Sequence, residues 1–175
     1  MKQNKLISVR LLRGLSILFL VAIVACSARL FSYKGLEVSE NNLIRLENGG
    51  PHDGIWSTGD LAVVYRYTRK ADNLQISGDI RFEDSLRYNF TRLDHFDLWI
   101  HLLNSENKIV EYRNLSPHVH YFEIDKIPFD ETIPLPPGIN AISFSYSGRA
   151  SEGGNDRDEK TGGGTSWEFW KTPQG

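Results

Sequence analysis

The sequence contains almost no cysteine and no apolar stretch of membrane-spanning length. Cys26 is the only cysteine in 175 residues, so the chain cannot form an internal disulfide. The uncharged apolar segment at residues 14–25 has twelve residues, whereas a helix needs about 20 to cross a bilayer. Twelve residues suit the apolar region of a secretion signal. The sequence therefore predicts an exported protein without disulfides.

The first 25 residues also lack acidic side chains. Their charged residues are all basic, namely Lys2, Lys5, Arg10 and Arg13. A basic start before an apolar segment is typical of a signal peptide, which we assign to residues 1–25.

The end of the apolar segment points to a lipid modification. Residues 23–27 read Ile-Val-Ala-Cys-Ser and resemble the lipobox of bacterial lipoproteins, with an aliphatic residue three positions before the cysteine and a small residue directly before it. The resemblance implies removal of residues 1–25, transfer of a diacylglyceryl group to the Cys26 thiol and acylation of the new amino terminus. Ser27, in place of aspartate, implies the periplasmic face of the outer membrane if the organism has two membranes.

Two other interpretations of the amino-terminal region remain open. A plain signal peptide could be cleaved after Ala28, because Cys26 and Ala28 are both small. An uncleaved anchor would have to carry Ser27 and Arg29 into the apolar phase. The position of the sole cysteine at the lipobox favours the lipoprotein.

The mature chain is acidic. Removal of residues 1–25 lowers the count of Lys and Arg from 20 to 16 against 22 acidic residues, so the formal net charge changes from −2 to −6. Nucleic acids and anionic membranes both favour basic surfaces, so we expect no nucleic-acid partner. We assign residues 26–42 to a lipid-anchored tether and residues 43–175 to a single domain.

Much of the domain shows period-two alternation of apolar residues, the pattern of strands with one buried face. The alternating residues are Leu61, Val63, Tyr65 and Tyr67; Leu74, Ile76, Ile80 and Phe82; Phe96, Leu98, Ile100 and Leu102; and Ile142, Phe144 and Tyr146. Further strands are predicted at residues 43–46, 108–115, 119–124 and 167–170. No segment predicts a capped amphipathic helix, so the sequence indicates an all-β protein. The expected seven to nine strands indicate an antiparallel β-sandwich.

Glycine and proline predict the interruptions of the strands. Residues 127–138 hold four prolines, which indicates an edge strand or a crossover, closed by a Pro137-Gly138 turn. Residues 48–54 predict a turn or loop, and Gly78 marks a bulge or a close crossing. The order of proline-rich crossover, aromatic strand, long hairpin and final strand resembles immunoglobulin and fibronectin type III sandwiches. A jelly roll is the competing topology.

Four histidines are weak candidates for metal ligands: His95, His101, His118 and His120. The first two share one strand face, and so do the last two. If these strands are neighbours, their imidazoles and the carboxylate of Asp97 could bind zinc or copper. The alternative is that these side chains form the solvent-facing half of alternating strands, and we assign neither a metal nor another cofactor.

Three tryptophans are candidates for ligand contact: Trp56, Trp99 and Trp170. Exposed indole rings on a sandwich face can stack on sugar rings, as in carbohydrate-binding modules. Trp99 is the strongest of the three because the alternation assigns it to the polar face. The alternative is packing in the core or between strands.

The segment at residues 147–166 predicts an unusually long hairpin loop with six glycines. Its acidic residues could bind calcium through hard oxygen ligands: Asp156, Asp158 and Glu159. A mobile solvated loop and a loop that contacts a partner are the alternatives.

No catalytic constellation is recognisable. Lys160 and Thr161 follow a glycine at Walker spacing, but Glu159 takes the place of the second glycine. We therefore expect a noncatalytic envelope lipoprotein that binds or scaffolds a protein or glycan near the membrane. A carbohydrate- or peptidoglycan-binding module and a metal-binding protein are the alternatives.

Overall fold

The computed structural model describes residues 32–116, 126–152 and 165–174. The chain divides into two compact units, residues 1–33 and Lys34–Gly175. The signal segment and Cys26 lie outside the described residues. In the described ranges, no helix is long and apolar enough to cross a membrane.

The second unit includes residues that the sequence assigns to the tether. The Gly35 N–H donates to the Ile109 carbonyl, Val38 is 2 % exposed, and a short 3-10 helix spans Glu40–Asn42. The second unit thus begins at Lys34, eight residues after Cys26.

The second unit is an all-β antiparallel sandwich, as the alternation predicts. Its described residues form nine strands: β1 (Ile44–Arg45), β2 (Gly49–Ser57), β3 (Leu61–Lys70), β4 (Asn73–Phe82), β5 (Arg92–Leu103), β6 (Ile109–Asn114), β7 (Lys126–Pro134), β8 (Ala141–Ser151) and β9 (Ser166–Lys171). One sheet has the order β2-β3-β4-β7. The other has the order β1-β8-β5-β6, with β9 also paired to β8.

The core lies between the two sheets. The alternating apolar residues predicted on β3, β4, β5 and β8 are all buried. Aromatic rings connect the layers: the centroid of Phe144 on β8 lies 5.6 Å from Trp56 on β2 and 5.5 Å from Tyr65 on β3. Burial of one face per strand is what the period-two pattern requires.

Gly78 marks a close approach and not a bulge. The β4 register is continuous, with Gly78 opposite Tyr65 on one side and Phe129 on the other. A Cβ at this position would lie 2.1 Å from the Val64 carbonyl oxygen. Only glycine fits here without displacing backbone.

The turn predicted at residues 48–54 is wrong, because Gly49–Ser57 form strand β2. This strand lies at a sheet edge, and its pairing with β3 shifts register between Gly49 and His52. Gly49 and Gly50 have φ values of +79° and +140°. Glycine and proline occur in bulged edge strands as well as in turns, so composition alone does not distinguish the two.

The proline-rich segment is an edge strand, as predicted. β7 pairs only with β4 in the described part of the chain, and an edge tolerates Pro128 because one side of the strand needs no ladder hydrogen bond. Pro137 and Gly138 form a turn, and Gly138 has a φ of +84°.

Two connections differ from the sequence-based expectation. A six-residue helix, α1 (Asp84–Asn89), joins β4 to β5; it is too short to produce a periodic apolar pattern. The long loop predicted at residues 147–166 is shorter, since residues 147–151 continue β8 and pair with β9. The strand predicted at residues 119–124 lies outside the described residues.

Candidate functional site

The candidate surface is the outer face of the five-stranded sheet. Side chains on β5 and β8 that alternate with the buried ones point away from the other sheet. The register aligns Asp97 with Ser147, and Ser147 with Trp170 on β9. Trp99 lies opposite Ser145 and Asn114 on the same face. We call Trp170, Ser147, Asp97, Asn114 and Trp99 the outer-face group.

Trp170 is the accessible aromatic residue of this group. Its side chain is 66 % exposed, whereas the preceding Phe169 is 2 % exposed and points into the core. Trp167 on the same strand is 53 % exposed, but it is three positions away and so points to the opposite side. Trp167 was not among the predicted candidates, although it belongs to the same aromatic strand.

Trp99 is half-buried and packs against its neighbour on β6. Its ring centroid lies 5.7 Å from that of Tyr112, at an interplanar angle of 66°. Beside it, Asn114 Nδ2 donates to Asp97 Oδ1 at 2.6 Å. The alternation placed Trp99 on the correct face, and the cross-strand aromatic contact gives it a packing role.

Trp56 is not a surface contact, contrary to the sequence-based hypothesis. It is 8 % exposed, and its indole Nε1 donates to Asn42 Oδ1 at 2.8 Å. Its ring contacts Phe144 and Tyr146 between the sheets. The ring therefore belongs to the core and cannot stack on a ligand.

Of the two candidate histidines that the structure describes, His95 faces solvent and His101 does not. His101 is fully buried and its Nε2 lies 2.7 Å from Ser145 Oγ. Burial lowers the pKa of His101 from 6.5 to about 4, so the ring is neutral at pH 7. His95 is exposed, six residues and about 20 Å away along the same strand.

No metal centre is found in the described ranges, where no three His, Cys, Asp or Glu side chains cluster suitably. His118 and His120 lie outside the described residues, as do the calcium candidates Asp156, Asp158 and Glu159. These metal hypotheses therefore stay predictions for the undescribed segments.

The neighbours of His101 on the outer face are buried as well. Leu103, Ala141 and Ser143 are all 0 % exposed, so this end of the face is covered while the Trp170 end is open to solvent. The apolar Leu102-Leu103 pair, which breaks the alternation, was the available sequence signal.

Comparison of the chain with protein-family models, characterised proteins and solved structures finds no match. The chemistry of the outer-face group thus rests on its own residues. An exposed indole beside hydroxyl, carboxylate and amide groups can stack on an apolar ring face and hydrogen-bond its polar edge.

Proposed function

We propose that the protein is a membrane-anchored lipoprotein whose β-sandwich serves as a noncatalytic binding module at the cell envelope. The lipobox residues 23–27 and the absence of any other cysteine support the anchor. The observation that carries the proposal is the short connection, since the folded unit begins at Lys34, eight residues after Cys26. Eight residues span at most about 29 Å when fully extended, so a lipid on Cys26 would hold the sandwich close to the membrane surface.

Lipidation of Cys26 supplies enough affinity for stable attachment. One acyl chain gives marginal binding, whereas two or more hold a protein on a bilayer. The lipobox resemblance implies three chains on the mature amino terminus. In a bacterium with two membranes, the resemblance to lipoproteins with serine after the cysteine, here Ser27, implies the periplasmic face of the outer membrane.

The anchor is tested on the full chain expressed in a bacterial host. We expect the mature protein to begin at Cys26, to carry the mass of its acyl chains and to sediment with membranes. Cys26→Ser should prevent processing and remove the added mass, whereas Ser27→Ala should keep both. An unmodified thiol in the purified mature protein contradicts the proposal.

A glycan is the ligand that the outer-face group favours. Trp170 is 66 % exposed and lies in register with Ser147 and, one strand further, with Asp97. An indole ring stacks on the apolar face of a sugar, while hydroxyl and carboxylate groups bind sugar hydroxyls.

The glycan hypothesis has a matched control on the same strand. Tryptophan fluorescence should change on titration with peptidoglycan or polysaccharide fragments, and Trp170→Ala should abolish the change. Trp167→Ala removes an indole that is also more than half exposed from the opposite side of β9 and should leave the titration intact. Equal loss in both variants, or no response in the parent protein, contradicts glycan binding by this face.

A further inference from the structure

Three cationic side chains surround an open cavity at the corner where β4 ends and α1 begins. The cavity has a volume of about 130 Å³, and its lining consists of Arg81, Phe82, Arg87 and Lys126. Arg81 and Phe82 end β4, Arg87 lies on α1, and Lys126 begins β7. Three separate elements therefore bring positive charge to one small space.

Two of these cations are direct cross-strand neighbours. The β4–β7 register pairs Arg81 with Lys126, and their side chains are 59 % and 60 % exposed. Like charges directly opposite each other on a sheet are destabilising. The Asp79 carboxylate, in ion-pair range of both cations, offsets part of this repulsion, and a further anion would offset more of it.

The Asp79 carboxylate lies near both cations but forms no hydrogen bond with either. Asp79 Oδ2 lies 3.9 Å from both Arg81 Nη2 and Lys126 Nζ, which is beyond hydrogen-bond range. On the neighbouring strand β3, by contrast, Arg66 makes two hydrogen bonds of 2.7 and 3.1 Å to Asp53. Arg81 and Lys126 therefore make no hydrogen bond to Asp79, and both line the cavity.

The third cation is only weakly engaged as well. Arg87 Nη1 reaches Asp84 Oδ1 at 3.4 Å, and its side chain is 45 % exposed. The lining carries three positive charges and no carboxylate, while Asp79 and Asp84 lie in ion-pair range and Glu83 is adjacent in sequence.

We propose that this cavity binds a phosphate group. Arginine donors bind phosphate oxygens in pairs and lysine supplies a point charge, and cations from three elements suit a tetrahedral anion better than a planar one. Ligand pockets for whole drug-sized molecules measure about 300–1,000 Å³, so this cavity takes the phosphate and leaves the rest of a larger molecule outside. The site does not depend on the lipid anchor or on glycan binding.

The test measures the stabilisation of the purified protein by inorganic phosphate, titrated against chloride at constant ionic strength. A ligand of the folded state raises the free energy of unfolding in proportion to ln(1 + [L]/Kd). We expect Arg81→Gln and Lys126→Gln each to weaken binding about tenfold, the effect of losing one charged hydrogen bond. Lys70→Gln removes an exposed strand lysine elsewhere and should bind like the parent protein.

A second measurement removes phosphate altogether. There Lys126→Gln should be about as stable as the parent protein, because it removes both the repulsion with Arg81 and the weak, exposed ion pair with Asp79. Destabilisation of Lys126→Gln in phosphate-free buffer, or equal phosphate binding by the parent and both cavity variants, overturns the proposal.

Two soluble probes distinguish the sources of the phosphate. Glycerol phosphate is a monoester, and glycerophosphoglycerol is the diester headgroup of an anionic lipid without its acyl chains. Binding of both that depends on Arg81 assigns the site to a lipid headgroup, and binding of the monoester alone assigns it to a free phosphate ester. Failure of both probes and of inorganic phosphate contradicts the site.

Discussion

The Tyr146 hydroxyl donates a hydrogen bond of 2.6 Å to Oδ2 of Asp60. Tyr146 lies on β8 in the five-stranded sheet, whereas Asp60 lies in the turn between β2 and β3 of the other sheet. The Thr58 hydroxyl is 2.9 Å from the same phenol oxygen. Burial, and then the hydrogen bond to Asp60, raises the pKa of Tyr146, so the phenol stays protonated and joins the two sheets at every physiological pH.

Tyr146→Phe should therefore destabilise the domain by about 1 to 3 kcal/mol, because it leaves the Asp60 carboxylate without its donor. Urea denaturation followed by circular dichroism measures the change. Tyr88→Phe removes the hydroxyl of a tyrosine that is 80 % exposed and should change stability by less than about 0.5 kcal/mol. Equal midpoints for the two variants would show that the bond contributes nothing.

The buried His101 predicts a loss of stability in acid. Its pKa is about 4 in the folded protein against an ordinary 6.5, so between these values the unfolded chain binds a proton that the folded chain does not. The contribution of His101 to the free energy of unfolding is therefore highest above pH 6.5 and falls as the pH drops toward 4. The full difference is about 3 kcal/mol, at 1.36 kcal/mol per pKa unit.

The free energy of unfolding, measured at pH 7 and pH 4.5, checks this prediction in paired variants. His101→Gln should lose most of the excess acid sensitivity of the parent protein. His95→Gln changes an exposed histidine on the same strand and should keep it. If His101→Gln retains the full pH dependence, carboxylates and not this imidazole govern the acid transition.

Local alternation was enough to predict the strands with one solvated face. β3 alternates buried and more exposed residues along most of its length, so the period of two is visible in the sequence. The alternation did not predict the burial of His101, because this end of its face is buried too, together with Leu103 and Ser143. Burial of a second face depends on what covers a sheet, and a single strand carries no record of it.

The cavity proposed to bind phosphate shows a second limit of prediction from the sequence, which is strand pairing. Arg81 and Lys126 are 45 residues apart and become neighbours only through the β4–β7 register. Nothing in either segment specifies which strand it pairs with. For Trp56 the sequence leaves ligand contact and core packing open, because residues 48–54 predict a turn and the alternation of β2 is not recognised.

Gly78→Ala should destabilise the domain severely. The added methyl group would lie 2.1 Å from the Val64 carbonyl oxygen and 3.0 Å from Phe129, so the central strands β3 and β4 would have to separate. We expect a loss of about 3 kcal/mol, measured by urea denaturation. Gly59→Ala, where a Cβ meets nothing within 4 Å, is the control; similar stability of both variants would refute a steric role for Gly78.

Asn42 connects the entry segment, the core and the carboxyl terminus, and its loss should loosen all three. It is 5 % exposed, accepts the Trp56 indole N–H and donates from Nδ2 to the Pro173 carbonyl, both at 2.8 Å. Asn42→Ala leaves a buried indole N–H without its acceptor, so we expect a cost of about 3 kcal/mol. Asn41→Ala alters the exposed neighbour and should stay within about 0.5 kcal/mol of the parent protein. Equal denaturation midpoints for the two variants would show that the two hydrogen bonds of Asn42 contribute nothing to the stability of the domain.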